Sequence, residues 1–85
     1  MEQRMNRAQL LERIVADPAV QHGQPCIRGT RTPVHVIVET IALGATFDEV
    51  KRQYPPLIDD DISAALLYAA RTTNEEISTL AAQPA

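Results

Sequence analysis

The stretch Arg28-Gly29-Thr30-Arg31-Thr32-Pro33 concentrates the chemistry of this sequence. Two arginines flank a glycine, and glycine lets the backbone bend where other residues are excluded. A helix is expected to begin directly after it. Unpaired helix amides, the helix dipole and guanidinium forks together suit an anion. That anion is either a nucleic-acid phosphate or a carboxylate on a protein partner. The same residues have an internal reading. Arg28 and Arg31 can pair with acids of this chain, such as Asp17 or Glu39, and fix neighbouring elements. The two readings are compatible. Arg28, Gly29, Thr30 and Arg31 are therefore the candidate binding residues.

Other chemistry is thinly supplied. Cys26, His22 and His35 are the only Cys and His side chains, and they lack the paired spacing of a zinc site. Cys26 lies in an apolar run and reads as a small core residue rather than a nucleophile awaiting a base. Asp59-Asp60-Asp61 are consecutive, so on a helix they point in different directions. No further ligands follow at calcium-loop spacing, and capping a helix is their better role. No glycine-rich phosphate loop is present. These residues point to a binding module, not an enzyme, with no cofactor and no metal.

The elements that must position the arginines follow from local signals. Residues 6–13 read as a short helix. Asn6 is its cap, Gln9 completes a capping box, and Met5 is placed to staple onto Leu10. Ile14-Val15-Ala16 and Pro25-Cys26-Ile27-Arg28 are short extended runs, separated by turns at Asp17-Pro18 and Gly23. They are expected to pair as an antiparallel ribbon that must pack on something else. Thr32-Pro33 then opens a helix, with Thr32 as cap and Pro33 as first residue. Val34, Ile37, Val38 and Ile41 share one face, and Gly44 ends it. Val34, Val36 and Val38 also alternate like a strand, but both end signals favour a helix. Thr46-Phe47-Asp48-Glu49 is a capping box for a helix that carries Phe47, Val50 and Tyr54 inward and stops at Pro55-Pro56. Asp59-Asp60-Asp61 opens the last helix. Its stripe is Ile62, Ala65, Leu66 and Ala69, widened by Leu67, Tyr68 and Ala70 as if covered on more than one side.

The expected fold is thus mainly α with minor β: a short two-stranded β-ribbon followed by a three-helix, helix-turn-helix-like bundle. Residues 1–12 form an N-terminal extension or short helix, residues 13–73 the domain, and residues 74–85 a C-terminal tail with frayed last residues.

Composition sets the limits. With 85 residues, 45% hydrophobic and 22% charged, the chain is one small globular domain. A domain of this size buries only about 60–65% of its unfolded surface, so self-association adds useful buried area. One cysteine and a polar N-terminus without an apolar signal run place the protein in the cytoplasm. No apolar run approaches the ~20 residues of a membrane span, so no membrane association is expected. Net charge is −3, which does not favour nucleic acid. Its distribution is uneven. Through His35, five arginines against three acids give +2. From Val36 onward, Lys51, Arg52 and Arg71 against eight acids give −5. Such asymmetry suits an oriented contact, with another copy or with a charged partner. If DNA is bound, Arg4, Arg7, Arg13, Arg28 and Arg31 are the candidates, because three carboxylates at the start of the last helix would repel phosphates.

A series of short motifs runs in order from Arg13 to about Thr73. It includes Ile14 with Asp17-Pro18, Gly23-Gln24-Pro25, Ile27-Arg28-Gly29-Thr30-Arg31, Pro33-Val34, Gly44 with Thr46, Glu49, and Tyr54-Pro55. Asp61-Ile62, Ala64-Ala65-Leu66 and Tyr68-Ala69-Ala70 complete it. The series resembles the small bacterial family of unknown function numbered 433. That resemblance implies a helix-turn-helix-like fold, a homodimer or higher homo-oligomer, and pairing with a toxin like the PIN-type ribonucleases. Such a partner has a carboxylate-rich metal site, and Arg28 and Arg31 match the family's Arg-Gly-Thr-Arg motif. The function it implies is an antitoxin-like module that neutralises the ribonuclease. A DNA-binding regulator, possibly of its own operon, is the alternative.

Overall fold

Two hydrogen bonds fix the start of the first helix, α1 (Arg7–Leu11), in a computed structural model that describes residues 5–81 and the side chains of residues 5–75. The Asn6 side chain accepts from the Gln9 N–H at 2.8 Å, and the Gln9 side chain accepts from the Asn6 N–H at 2.9 Å. The expected capping box is complete. The helix ends before Arg13 because the Arg13 carbonyl is already taken by the Arg28 N–H, at 2.7 Å.

That bond continues the ribbon of β1 (Ile14–Val15) and β2 (Cys26–Ile27). The strands are antiparallel, with Ile14 opposite Ile27 and Val15 opposite Cys26. The chain then doubles back at once. The Ile27 N–H donates to the Thr32 carbonyl at 3.0 Å, and Pro33 bridges to Cys26. Residues 32–33 therefore belong to the ribbon.

This corrects the start of α2 (Val34–Ala42). Its N-cap is Pro33, with an extended ψ of 147° and no side-chain cap, rather than Thr32. The Thr32 carbonyl serves the ribbon and its N–H donates to the Thr30 hydroxyl. The Val34 N–H, left open at the helix start, finds the Pro25 carbonyl at 2.9 Å. Gly44, at φ +106°, ends the helix as expected. Gly44 N–H donates to Ile41 and Ala45 N–H to Thr40, the bond pair of a Schellman stop.

The helix α3 (Phe47–Gln53) opens on the reciprocal Thr46–Glu49 capping box. A turn through Pro55-Pro56 leads into α4 (Asp59–Ala81), 23 residues long. Its length departs from the expectation of a tail beginning at residue 74. Glu75, Glu76, Leu80 and Ala81 favour helix, and no glycine or proline intervenes before Pro84. The expected fraying at the last residues falls outside the described part.

The spine of the molecule is α4, against which α1, α2, α3 and β1 all pack. Ile27, Val34, Ile37, Val50, Leu57, Ile62 and Ala65 form one buried cluster. Phe47 and Tyr54 pack on its margin. Ala64 is fully buried beside Ala65, so α4 is covered on a second flank. The fold is mainly α with minor β, a ribbon followed by helices. Among the described residues, no helix is long and apolar enough to cross a membrane.

Candidate functional site

The four residues 28–31 form the tip of the ribbon, and their roles divide. The Thr30 N–H and hydroxyl both donate to the Ile27 carbonyl, at 3.0 and 2.8 Å. Gly29 has φ +79° in the third position of this turn, where type II geometry favours glycine. Gly29 and Thr30 therefore shape the backbone.

Arg28 also serves structure, though through neither expected acid. Its guanidinium donates twice to the Glu12 carbonyl, at 2.9 and 2.6 Å. Glu12 is the C-cap of α1, so Arg28 satisfies a carbonyl at a helix end and ties the ribbon to α1. Arg28 lines a hollow of about 440 Å³ with Met5, Gln9, Glu12, Arg13 and Asp61.

Arg31 opens elsewhere. It lines a cleft of about 490 Å³ with Val15, Asp17, Val20, Gln24, Cys26, Gly29 and Thr30. Arg31 is exposed, and among the described residues its guanidinium has no hydrogen-bond or ion-pair partner. The expected pairing with Asp17 or Glu39 is absent. Its backbone is held, because the Gln21 side chain donates to the Arg31 carbonyl at 3.3 Å. The structure thus separates two arginines that sequence reasoning treated together.

The matching family is described as "Protein of unknown function (DUF433)", and the match covers residues 14–69. This chain belongs to the DUF433 family. It is 38% identical to a DUF433 member protein from Anabaena variabilis whose crystal structure superimposes with a TM-score of 0.65. That alignment covers 89% of this chain and 75% of the other. It is also 31% identical, over 58 residues, to the uncharacterised protein y4eO of Sinorhizobium fredii. The alignment takes in 68% of this chain but spans only 26% of that relative's length.

The DUF433 match begins at β1 and ends at Ala69 in α4, so it contains the ribbon tip and the cleft. The loop between the cleft residues Val20 and Gln24 was not foreseen. Gln21, His22 and Gly23 are consecutive left-handed residues, with φ of 50°, 57° and 83°. Gly23 signalled a turn, but nothing local marked Gln21 or His22. The Asp17 side chain starts this loop by accepting from the Ala19 N–H at 2.9 Å. At the cleft, Cys26 is 1% exposed, and burial pushes its thiol above the usual range. Its Sγ donates to the Gln24 carbonyl. His22 and His35 are both exposed, and no three Cys, His, Asp or Glu among the described residues are grouped to hold a metal.

The acidic start of α4 also proves structural. Asp61 accepts from Arg13 at 2.8 Å and from the Ile58 N–H at 3.0 Å. Arg13, a nucleic-acid candidate in the sequence, is thereby committed inside the fold. Lys51 joins Asp48 and Asp59, at 3.3 and 2.9 Å, and these bonds raise its pKa. The Arg13–Asp61 and Lys51–Asp59 pairs had no local signal, because these groups meet across elements, whereas Lys51 and Asp48 are three apart within α3. Arg4 lies outside the described residues.

Proposed function

We propose that this DUF433 chain is an antitoxin-like binding module that neutralises a PIN-like ribonuclease, with Arg31 as its principal charged contact. The observation that carries this reading is the exposed, unpartnered Arg31 guanidinium beside a cleft whose backbone is already ordered. A planar guanidinium on a fixed backbone suits a carboxylate, which it grips through two parallel hydrogen bonds. The family resemblance implies a carboxylate-rich partner of that kind. Binding rather than catalysis, and a reducing cytoplasmic setting, accord with the single buried thiol.

DNA regulation ranks second. Arg31 and the exposed Arg7 remain candidates for phosphate contacts. However, Arg13 is paired internally and α4 begins with Asp59, Asp60 and Asp61. The carboxylates oppose phosphate at the helix end that helix-turn-helix proteins present to DNA.

The test is titration of the purified chain against a PIN-like ribonuclease encoded beside it. Arg31→Ala should weaken binding about tenfold or more with unchanged thermal stability. Arg28→Ala should lower stability yet bind normally once folded. Absence of binding by the unaltered chain removes the antitoxin reading. Retention on DNA that falls steeply with added salt would move the regulator reading ahead.

A further inference from the structure

A second charge lies in the Arg31 cleft, and it too has no ionic partner. Asp17 lines the cleft, is exposed, and makes no ion pair among the described residues. Its Oδ1 accepts from the Ala19 N–H at 2.9 Å, while its Oδ2 takes no hydrogen bond among those residues. The backbone beneath it is fixed, because the Val20 N–H donates to the Asp17 carbonyl at 2.8 Å. Gln21, in the same loop, donates to the Arg31 carbonyl and so ties the loop to the ribbon tip. Both charges therefore stand on tethered backbone in one cleft, yet they do not pair with each other. Val15, Val20 and Cys26 supply apolar surface in the same cleft.

We propose, resting on the antitoxin reading above, that this cleft takes a mixed-charge segment of the ribonuclease, carrying a base and an acid beside an apolar side chain. The acid meets Arg31 and the base meets Asp17. Charge sign decides the occupant. A cluster of bare carboxylates would gain at Arg31 and be repelled at Asp17. Covering the cleft removes water and strengthens both effects. A segment with one charge of each sign gains twice. It also leaves neither Arg31 nor Asp17 covered without a partner, which is the costly outcome when an interface closes over a charge. Nucleic acid meets the same obstacle, since Asp17 opposes the phosphate that Arg31 attracts. Asp17 is thus a specificity residue. It directs Arg31 to a mixed-charge surface segment of the ribonuclease rather than to a group of carboxylates that would hold a metal.

Titration of Asp17→Asn against the PIN-like ribonuclease encoded beside the chain tests this, because the two occupants predict opposite signs. Asparagine keeps a side-chain oxygen to accept from the Ala19 N–H, so thermal stability should be unchanged. With a mixed-charge segment in the cleft, Asp17→Asn should weaken binding by about tenfold, a difference of 1.4 kcal/mol. A carboxylate cluster would instead bind Asp17→Asn more tightly. The double variant Asp17→Asn, Arg31→Ala should bind more weakly than either single one, since the two side chains hold different groups. Unchanged or tighter binding by Asp17→Asn overturns the proposal, and if Arg31→Ala still weakens binding the antitoxin reading stands without it. A double variant no weaker than Arg31→Ala alone also overturns it. An unaltered chain that does not bind the ribonuclease removes both.

Discussion

The carboxylate of Asp61 takes two donors, the Arg13 guanidinium and the Ile58 N–H, so one side chain joins the segment between α1 and β1 to the start of α4. Asp61 is nearly buried, and losing a partner leaves an acceptor that water reaches poorly. Arg13→Ala should therefore destabilise the fold by roughly 1–3 kcal/mol, measured by urea unfolding. Cys26 gives a second prediction at this scale. Burial raises its pKa, so the neutral thiol is the form that suits the fold. Its contribution to stability is complete below the unfolded thiol's pKa and is lost as pH rises through the folded value. Native protein should resist iodoacetamide at neutral pH, and Cys26→Ala should lose less stability at strongly alkaline pH than the unaltered chain. Equal rapid labelling of folded and unfolded protein would contradict the buried site.

Helix ends carry the element-scale argument. Thr46 and Glu49 satisfy two donors at the start of α3, whereas α2 starts without a side-chain cap. Thr46→Ala should destabilise by about 1 kcal/mol. Thr32→Ala should stay within about 0.5 kcal/mol, since only the Thr32 backbone takes part in the bonds described. Comparable losses in both variants would return the cap of α2 to Thr32. Glu49 adds a pH dependence. Hydrogen bonds from the Thr46 backbone and side chain hold its carboxyl below the usual range. Its contribution is present above the unfolded carboxyl's pKa and disappears as pH falls through the lowered value. The stabilities of the unaltered chain and Glu49→Gln should accordingly converge in acid.

At the scale of the molecule, one small cluster supports every element. Ile37 and Ile62 are fully buried and lie on α2 and α4, the pair that encloses an apolar groove. Ile37→Ala should cost about 2–5 kcal/mol. Domains as a class have only about 5–15 kcal/mol of stability, so thermal unfolding should move down by many degrees. A shift of only a degree or two would mean that the core is less dependent on α2 than its packing indicates.

Local chemistry was enough to determine the capping boxes at Asn6 and Thr46, the glycine stop at Gly44, the ribbon pairing and the apolar stripes. These depend on residues within about one helical turn or on simple alternation, so the chain carries them in its order. The Arg-Gly-Thr-Arg motif was legible too, as a glycine bend between cations. Which arginine was spent inside the fold was not legible. Arg28 meets a carbonyl 16 positions away, and Arg13 meets a carboxylate 48 positions away. Such partners are chosen by how the ribbon packs beside α1 and α4, and no local pattern encodes that distance. The same reason displaced the cap of α2, where ribbon pairing claimed Thr32, and left-handed backbone at Gln21 and His22 appeared without a glycine to announce it. Sequence determined the elements and those ends that local caps fix, while tertiary packing set the start of α2 and decided that Arg31, rather than Arg28, faces outward unpaired.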